Sequence, residues 1–221
     1  MATIYDTTVT PTKLELFTAW LPTRPWYQGT SATPDLAKAG GFRLDDPEGE
    51  VGLEFMVITD ASGPSPVAYQ IPVTYRGAPL EGAAAERAFI GTMEHGVLGT
   101  RWMYDGPLDP ALVPQLLALL QNRAEPQHQN ISDTPDPAVT ARTTGPALPA
   151  ELVPGDVRDE KLATTVTVAT GEPSGPLTLS VTRVLGTAAT DGSRAHVVAH
   201  WESPEGEKRD GVFAVLGPMA G

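Results

Sequence analysis

The chain contains no cysteine in its 221 residues. Disulfides, thiolate nucleophiles and cysteine-bearing zinc sites are thereby excluded. Positive charge is the next shortage: 15 Lys and Arg stand against 27 Asp and Glu, a formal charge of −12. A basic face for gripping phosphates is not expected, so nucleic acid and membrane surfaces are not expected partners. The negative charge speaks first for solubility. No apolar run approaches the ~20 residues that span a bilayer. The opening Met1-Ala2-Thr3-Ile4-Tyr5-Asp6 has neither a basic n-region nor an apolar h-region. No signal peptide is therefore expected, and a cytoplasmic location is. In that setting the formal glycosylation sequon Asn130-Ile131-Ser132 is a chance match. Also missing are a Walker-type Gly-Lys-Ser/Thr, Gly-x-Gly-x-x-Gly, Gly-x-Ser-x-Gly and His-Glu-x-x-His, which removes the common catalytic classes.

What the chain has in quantity is Gly and Pro, 22 of each, so turns must be plentiful. Thr10-Pro11 reads as an N-cap followed by Pro at the first helical position. Leu14, Phe17 and Leu21 recur at helical spacing, and Pro22 ends the helix over about 11–21. From Gly40 the period becomes two. Residues 41–45 form a short strand, and Asp46-Pro47-Glu48-Gly49-Glu50 a turn. Residues 51–59 form a longer strand with Leu53, Phe55 and Val57 on one face. In 67–76, Val67, Tyr69, Ile71, Val73 and Tyr75 share a face, and Pro72 predicts an edge or a bulge. These strands form an antiparallel meander on which the helix packs. Residues 89–93 and 100–104 make a further strand pair. Asp109-Pro110 caps a helix buried through Leu112, Leu116, Leu119 and Leu120, running to about Arg123.

Residues 124–156 turn to Pro, Thr, Asp and Ala with no period, which predicts a linker or long loop, mobile or irregular around 128–154. Three strand candidates follow: 162–170, 177–185, and 195–201 paired with 211–216 across Ser203-Pro204-Glu205-Gly206. The expected fold is α+β: an antiparallel curved sheet embracing an N-terminal helix over 1–123, the linker over 124–156, and a second small antiparallel β subdomain over 157–221.

Few side chains have chemistry-bearing spacing. His196 and His200 would share a zinc on a helix, but Val197-Val198-Ala199 makes a strand, where i and i+4 lie about 13 Å apart. They are read as surface residues, and no metal is expected. Asp45, Asp46, Glu48 and Glu50 lack calcium-loop spacing and read as a solvated hairpin tip. Trp20, Trp26 and Phe55 are assigned to packing. Trp102 and Tyr104, with Arg101 and Asp105, have two readings: a flat ligand-binding face of the kind that carbohydrates take, or core aromatics at strand spacing.

The stretch Trp20-Leu21-Pro22-Thr23-Arg24-Pro25-Trp26-Tyr27 resembles the entry to the N-terminal cap of bacterial maltokinases. Residues 69–75 are similar to the family's Tyr-Gln-x-x-Val strand, and 88–121 to its Gly-Thr turn and Leu-rich helix. Such kinases phosphorylate maltose with ATP, feeding α-glucan synthesis. Their cap is a cystatin-like curved sheet around a helix and carries no catalytic residue. Residues 177–183 resemble the strand that bears the family's phosphate-binding Lys, with Ser180 at that position. The only His-Gly, His95-Gly96, is followed by Val97 and lies too early for the catalytic loop. The resemblance implies a stand-alone cap-like protein of actinobacterial type without catalysis or cofactor. Its role is then accessory, with a protein partner or carbohydrate-related ligand in maltose, trehalose or α-glucan metabolism. The rival is an enzyme, either a degenerate sugar kinase or a hydrolase built around Asp105, Asp109 and His95.

Overall fold

The computed structural model describes residues 7–144, 147–171, 173 and 175–219. The expectation drawn from Met1 to Asp6 therefore lies outside the described residues. A two-residue strand, β1 (Val9–Thr10), precedes helix α1 (Lys13–Trp20), which tightens into a 3-10 turn over Leu21–Thr23. The cap is Thr12, not Thr10. Its hydroxyl accepts from the Glu15 N–H at 3.2 Å, and the Glu15 carboxylate accepts from the Thr12 N–H at 2.7 Å. That reciprocal pair satisfies two N–H groups at once, whereas Thr10 is held extended in β1 opposite Glu94.

The first sheet follows: β2 (Leu36–Leu44), β3 (Gly52–Asp60), β4 (Val67–Arg76), a short helix α2 (Ala83–Ala88), β5 (Phe89–His95) and β6 (Gly99–Asp105). Helix α3 (Leu112–Leu120) and β7 (Gln127–His128) complete it. The order is β1-β5-β6-β4-β3-β2-β7, antiparallel throughout and curled into a half-barrel. The expected meander and the 89–93/100–104 pair are both present. β2 is longer than the strand read from 41–45, because Ala37, Lys38 and Gly40 break the alternation that would reveal it. Gly41 has a reason to be glycine. Its φ is +133°, and a Cβ there would meet the Phe55 carbonyl oxygen at 2.2 Å.

The two strand stripes read from the sequence face opposite ways. Tyr69, Ile71 and Val73 pack under α1 with Phe17, Trp20, Leu21 and Trp26, and Met56 and Ile58 join them from β3. Leu53, Phe55 and Val57 point to the other side and pack with α3 and a second sheet. β3 is thus buried on both faces, which alternation alone cannot signal. Pro72 is neither at an edge nor at a bulge. β4 runs between β3 and β6, and its β6 pairing begins at Val73. Just before Pro72, the Gln70 N–H donates to the Arg183 carbonyl at 2.9 Å. The missing Pro donor falls where the strand changes neighbours.

The second sheet contains β8 (Thr140–Thr143), β9 (Val153–Asp159), β10 (Ala163–Ala169), β11 (Leu177–Thr182), β12 (Ala195–Glu202) and β13 (Lys208–Pro218). Its order is β8-β12-β13-β11-β10-β9, again antiparallel, and the β12–β13 hairpin is the one expected. The stretch read as an irregular linker holds β7, β8 and the start of β9. β7 pairs with β2 and β8 with β12, so sheet edges satisfy its backbone. Strands of two and four residues are too short to leave a period in the sequence. Residues 145 and 146 of that stretch lie outside the described residues.

One core spans both sheets. Phe42 stacks on Phe55 at 4.5 Å and 2°, and Phe213 of β13 reaches Phe42 at 5.9 Å. α3 fills the same layer with Leu112, Val113, Leu116, Leu117, Leu119 and Leu120 buried. Only Pro114 and the half-buried Gln115 leave this apolar surface open, so the helix must be covered over most of its circumference, and the two sheets contribute to that cover. Its N-cap is Ala111. Asp109 stands before it, accepting from the Ala111 N–H at 2.9 Å while pairing with Arg76.

Candidate functional site: a cleft around Glu54

A single carboxylate interrupts the apolar run of β3. Period two aims Glu54 at the face that carries α1, beside Met56, yet beyond the reach of the aromatic cluster under the helix. It is 4% exposed and fully engaged. Its Oε2 accepts from Lys13 Nζ at 2.5 Å and the Tyr75 hydroxyl at 2.6 Å, and its Oε1 from Gln129 Nε2 at 2.8 Å. Lys13 also lies 4.8 Å from the centre of the Tyr75 ring. Three separate elements meet here: the start of α1, the end of β4 and the segment after β7.

These groups line a cleft of about 480 Å³ at the N-terminal end of α1. The volume falls within the range of small-molecule sites. On its rim, Lys38 Nζ donates to Asn130 Oδ1 at 2.9 Å, and Arg101 Nη1 to the Thr100 carbonyl at 3.0 Å. His95 Nδ1 accepts from the Val97 and Leu98 N–H groups at 3.3 and 3.1 Å. The Asp46 carboxylate accepts the N–H groups of Glu48, Glu50 and Val51. That fixes the hairpin tip, as the sequence indicated.

Electrostatics hold Glu54 ionised. Burial pushes its carboxyl up, but the Lys13 charge and the three hydrogen bonds outweigh burial and hold it below its ordinary value of 4.5. Burial, and then the Glu54 charge, push the Tyr75 phenol well above its usual value. Burial, followed by the charges of Arg101 and Lys13, lowers His95. A depressed carboxylate contributes stability that is complete above its unfolded pKa, about 4.3, and is lost as pH falls through the lower folded value. Glu54→Gln is therefore expected to flatten the acid limb of stability below about pH 4.3. Chemical denaturation across that range is the check; an unchanged acid slope would mean that Glu54 is not held ionised by these partners.

Of the candidate ligand-binding set Arg101, Trp102, Tyr104 and Asp105, Arg101 alone lines this cleft, which His95 also borders. Trp102 and Tyr104 project from the other face of β6 and pack with Ala85 and Ala88 of α2, where the Tyr104 hydroxyl accepts the Leu80 N–H at 2.9 Å. Asp105 shares Arg101's face but is wholly buried, accepting from Arg183 at 2.6 and 2.8 Å. The four do not converge. Nor do His95, Asp105 and Asp109. Asp109 is bound to Arg76 at 2.6 and 2.7 Å and to Thr74 at 2.6 Å, and neither aspartate lines the cleft that His95 borders. Ser180 lies in β11 between Thr165 and Val215.

His196 and His200 sit on a strand, as read, but His196 is only 8% exposed rather than at the surface. It lies between Arg142 of β8 and Val215 of β13. Burial, then the Arg142 charge, lowers its pKa. Among the described residues no three His, Asp or Glu side chains gather as metal ligands. No described helix is long and apolar enough to cross a membrane. Sequence reasoning missed Glu54, Lys13, Tyr75 and Gln129 as a group. The one available signal was a lone acid inside an otherwise apolar strand.

Residues 20–109 match the family model of the maltokinase N-terminal cap domain. The match runs from the end of α1 through β6 to Asp109, so the resemblance read from Trp20–Tyr27 and the β4 strand holds over this segment. No curated protein matches the chain. Glu54, Tyr75 and Arg101 lie within the matched segment, whereas Lys13, Gln129 and Asn130 lie outside it.

Proposed function

We propose that this protein is a non-catalytic accessory protein of maltose, trehalose or α-glucan metabolism, related to the maltokinase cap, and that it holds a carbohydrate-related ligand in the Glu54 cleft. The observation that carries the reading is the Glu54–Lys13–Tyr75–Gln129 group at the floor of a cleft of about 480 Å³. Carboxylate, amide, phenol and ammonium groups in fixed positions offer both acceptors and donors, which is what a ring of hydroxyl groups requires.

The same group is poorly suited to acid–base catalysis. A general acid or base works best with a pKa near the operating pH. Glu54 is moved away from neutrality and Tyr75 further still. Ser180 stands at the position of the family's phosphate-binding Lys, and Arg183, three residues further on, is wholly buried on Asp105. Both features support binding without turnover.

Calorimetric titration of the full chain with maltose, trehalose and maltoheptaose tests the reading, with ATP and magnesium as a separate arm. We expect a saturable saccharide isotherm that weakens about tenfold or more in Tyr75→Phe, the scale of one hydrogen bond to a charged group left unmade. We expect no ATP isotherm at millimolar nucleotide and no phosphorylation of maltose, glucose or glucosamine. Micromolar ATP affinity, or sugar phosphate formed on incubation, would replace this reading with the sugar-kinase rival.

A further inference from the structure

We infer that the ligand of the Glu54 cleft is an anionic carbohydrate, a sugar phosphate or sugar acid, whose negative charge answers two lining cations, Lys38 and Arg101. The inference rests on the carbohydrate reading above and narrows it.

The argument is a charge count around the floor. Lys13, Lys38, Arg43 and Arg101 all line the cleft with Glu54, and Arg43 lies in β2 next to the acidic tip that follows it. Glu54 takes its one cation from Lys13 at 2.5 Å. Lys38 is left with the neutral Asn130 amide, and Arg101 with the Thr100 carbonyl. Among the described residues neither has a carboxylate within ion-pair distance. The remaining lining acids, Asp45, Asp46 and Glu50, belong to the β2–β3 tip. Asp46 is spent on three backbone N–H groups there.

In a chain of net charge −12, two cations that line one cleft with no carboxylate at ion-pair distance among the described residues are a local exception. Lys offers a point charge and Arg a planar fork, and either accepts a phosphate or carboxylate oxygen by charge-assisted hydrogen bonds. Glu54, already satisfied by three donors, presents no bare charge to repel such a group. The hydroxyl groups of the same ligand would meet Tyr75, Gln129 and Asn130.

The test is titration of the full chain with glucose, glucose 1-phosphate, glucose 6-phosphate, glucuronate and inorganic phosphate, at two ionic strengths. The expected result is that at least one anionic sugar binds about tenfold or more tightly than glucose, the size of one charge-assisted contact. Added salt should shrink that advantage, and Lys38→Gln or Arg101→Gln should abolish it. The phosphate and carboxylate arms tell the two chemistries apart. Equal binding of glucose and its anionic forms, or an advantage that survives both substitutions, overturns the inference and leaves the carbohydrate reading intact. Binding of inorganic phosphate with no added affinity from the sugar overturns the carbohydrate reading, and the inference with it. No binding in any arm overturns both.

Discussion

Replacing Arg183 by alanine is expected to lower the unfolding free energy by about 3–5 kcal/mol, the usual cost of stripping one partner from a buried ion pair. Both members are fully buried, and the guanidinium Nη2 lies 2.6 and 2.8 Å from the two Asp105 oxygens. Nε donates to Thr164 Oγ1 at 2.8 Å, and the guanidinium carbon lies 4.8 Å from the Trp26 ring centre. One side chain thereby joins the end of β6, the loop after α1 and strand β10. Burial pushes the Asp105 carboxyl above its ordinary range against the pull of Arg183. With the cation gone, that carboxyl must be buried unpaired or take up a proton.

Denaturant unfolding measures the loss, which is a large share of the 5–15 kcal/mol typical of a domain. Arg183→Lys should recover little, since an ammonium cannot reproduce the fork or stack on the indole in the same way. The apolar pair Arg183→Met with Asp105→Leu should restore most of the stability, because the unpaired charge disappears with its partner. A loss below about 1 kcal/mol for Arg183→Ala would mean that the pair is solvated and not a clasp.

The second large effect is expected at Phe213. The side chain is 1% exposed and sits between Trp201 at 6.4 Å and Phe42 at 5.9 Å, where the two sheets face each other. Phe213→Ala should cost about 3–5 kcal/mol, the transfer and cavity cost of a buried aromatic. The more discriminating readout is cooperativity. Trp201 reports on the second sheet, Trp20 and Trp26 on the cluster under α1, and Trp102 on the cluster under α2. Fluorine NMR of 5-fluorotryptophan protein should show all four signals lost together, in the wild type and in Phe213→Ala alike. Loss of the Trp201 signal at a lower denaturant concentration would show that the sheets melt as separate units and that the common core contributes little.

Both effects bear on function through the cleft. Gln129 and Asn130 reach it from the segment that leads into β8, and β8 is an edge of the second sheet. If the sheets unfold as one unit, loss of the clasp or of the shared core also loosens the donors that hold Glu54. Variants that weaken the core should then show reduced ligand affinity near their melting transitions and ordinary affinity well below them.

The local elements and the pairing of strands that are neighbours in the chain are written in the sequence. Period two in 51–59 and 67–76, the turn at Asp46–Glu50 and the Ser203–Gly206 connection led to antiparallel hairpins, which the structure contains. The Trp-Leu and Trp-Tyr pattern marked the cap-like segment, later matched over 20–109. Tertiary structure decided which way each stripe faced. Alternation shows that Leu53, Phe55 and Val57 share a side, but it carries no sign, so only the second sheet placed that side away from α1. It also made one core of what read as two units and a linker, because strands of two and four residues gain their stability from sheet edges distant in sequence. The site followed the same rule. Lys13, Glu54, Tyr75 and Gln129 are scattered along the chain and match no motif. Arg183 and Asp105, 78 residues apart, carry no local sign of each other. Such pairs owe their energy to burial and mutual distance, and those quantities exist only once the chain has folded.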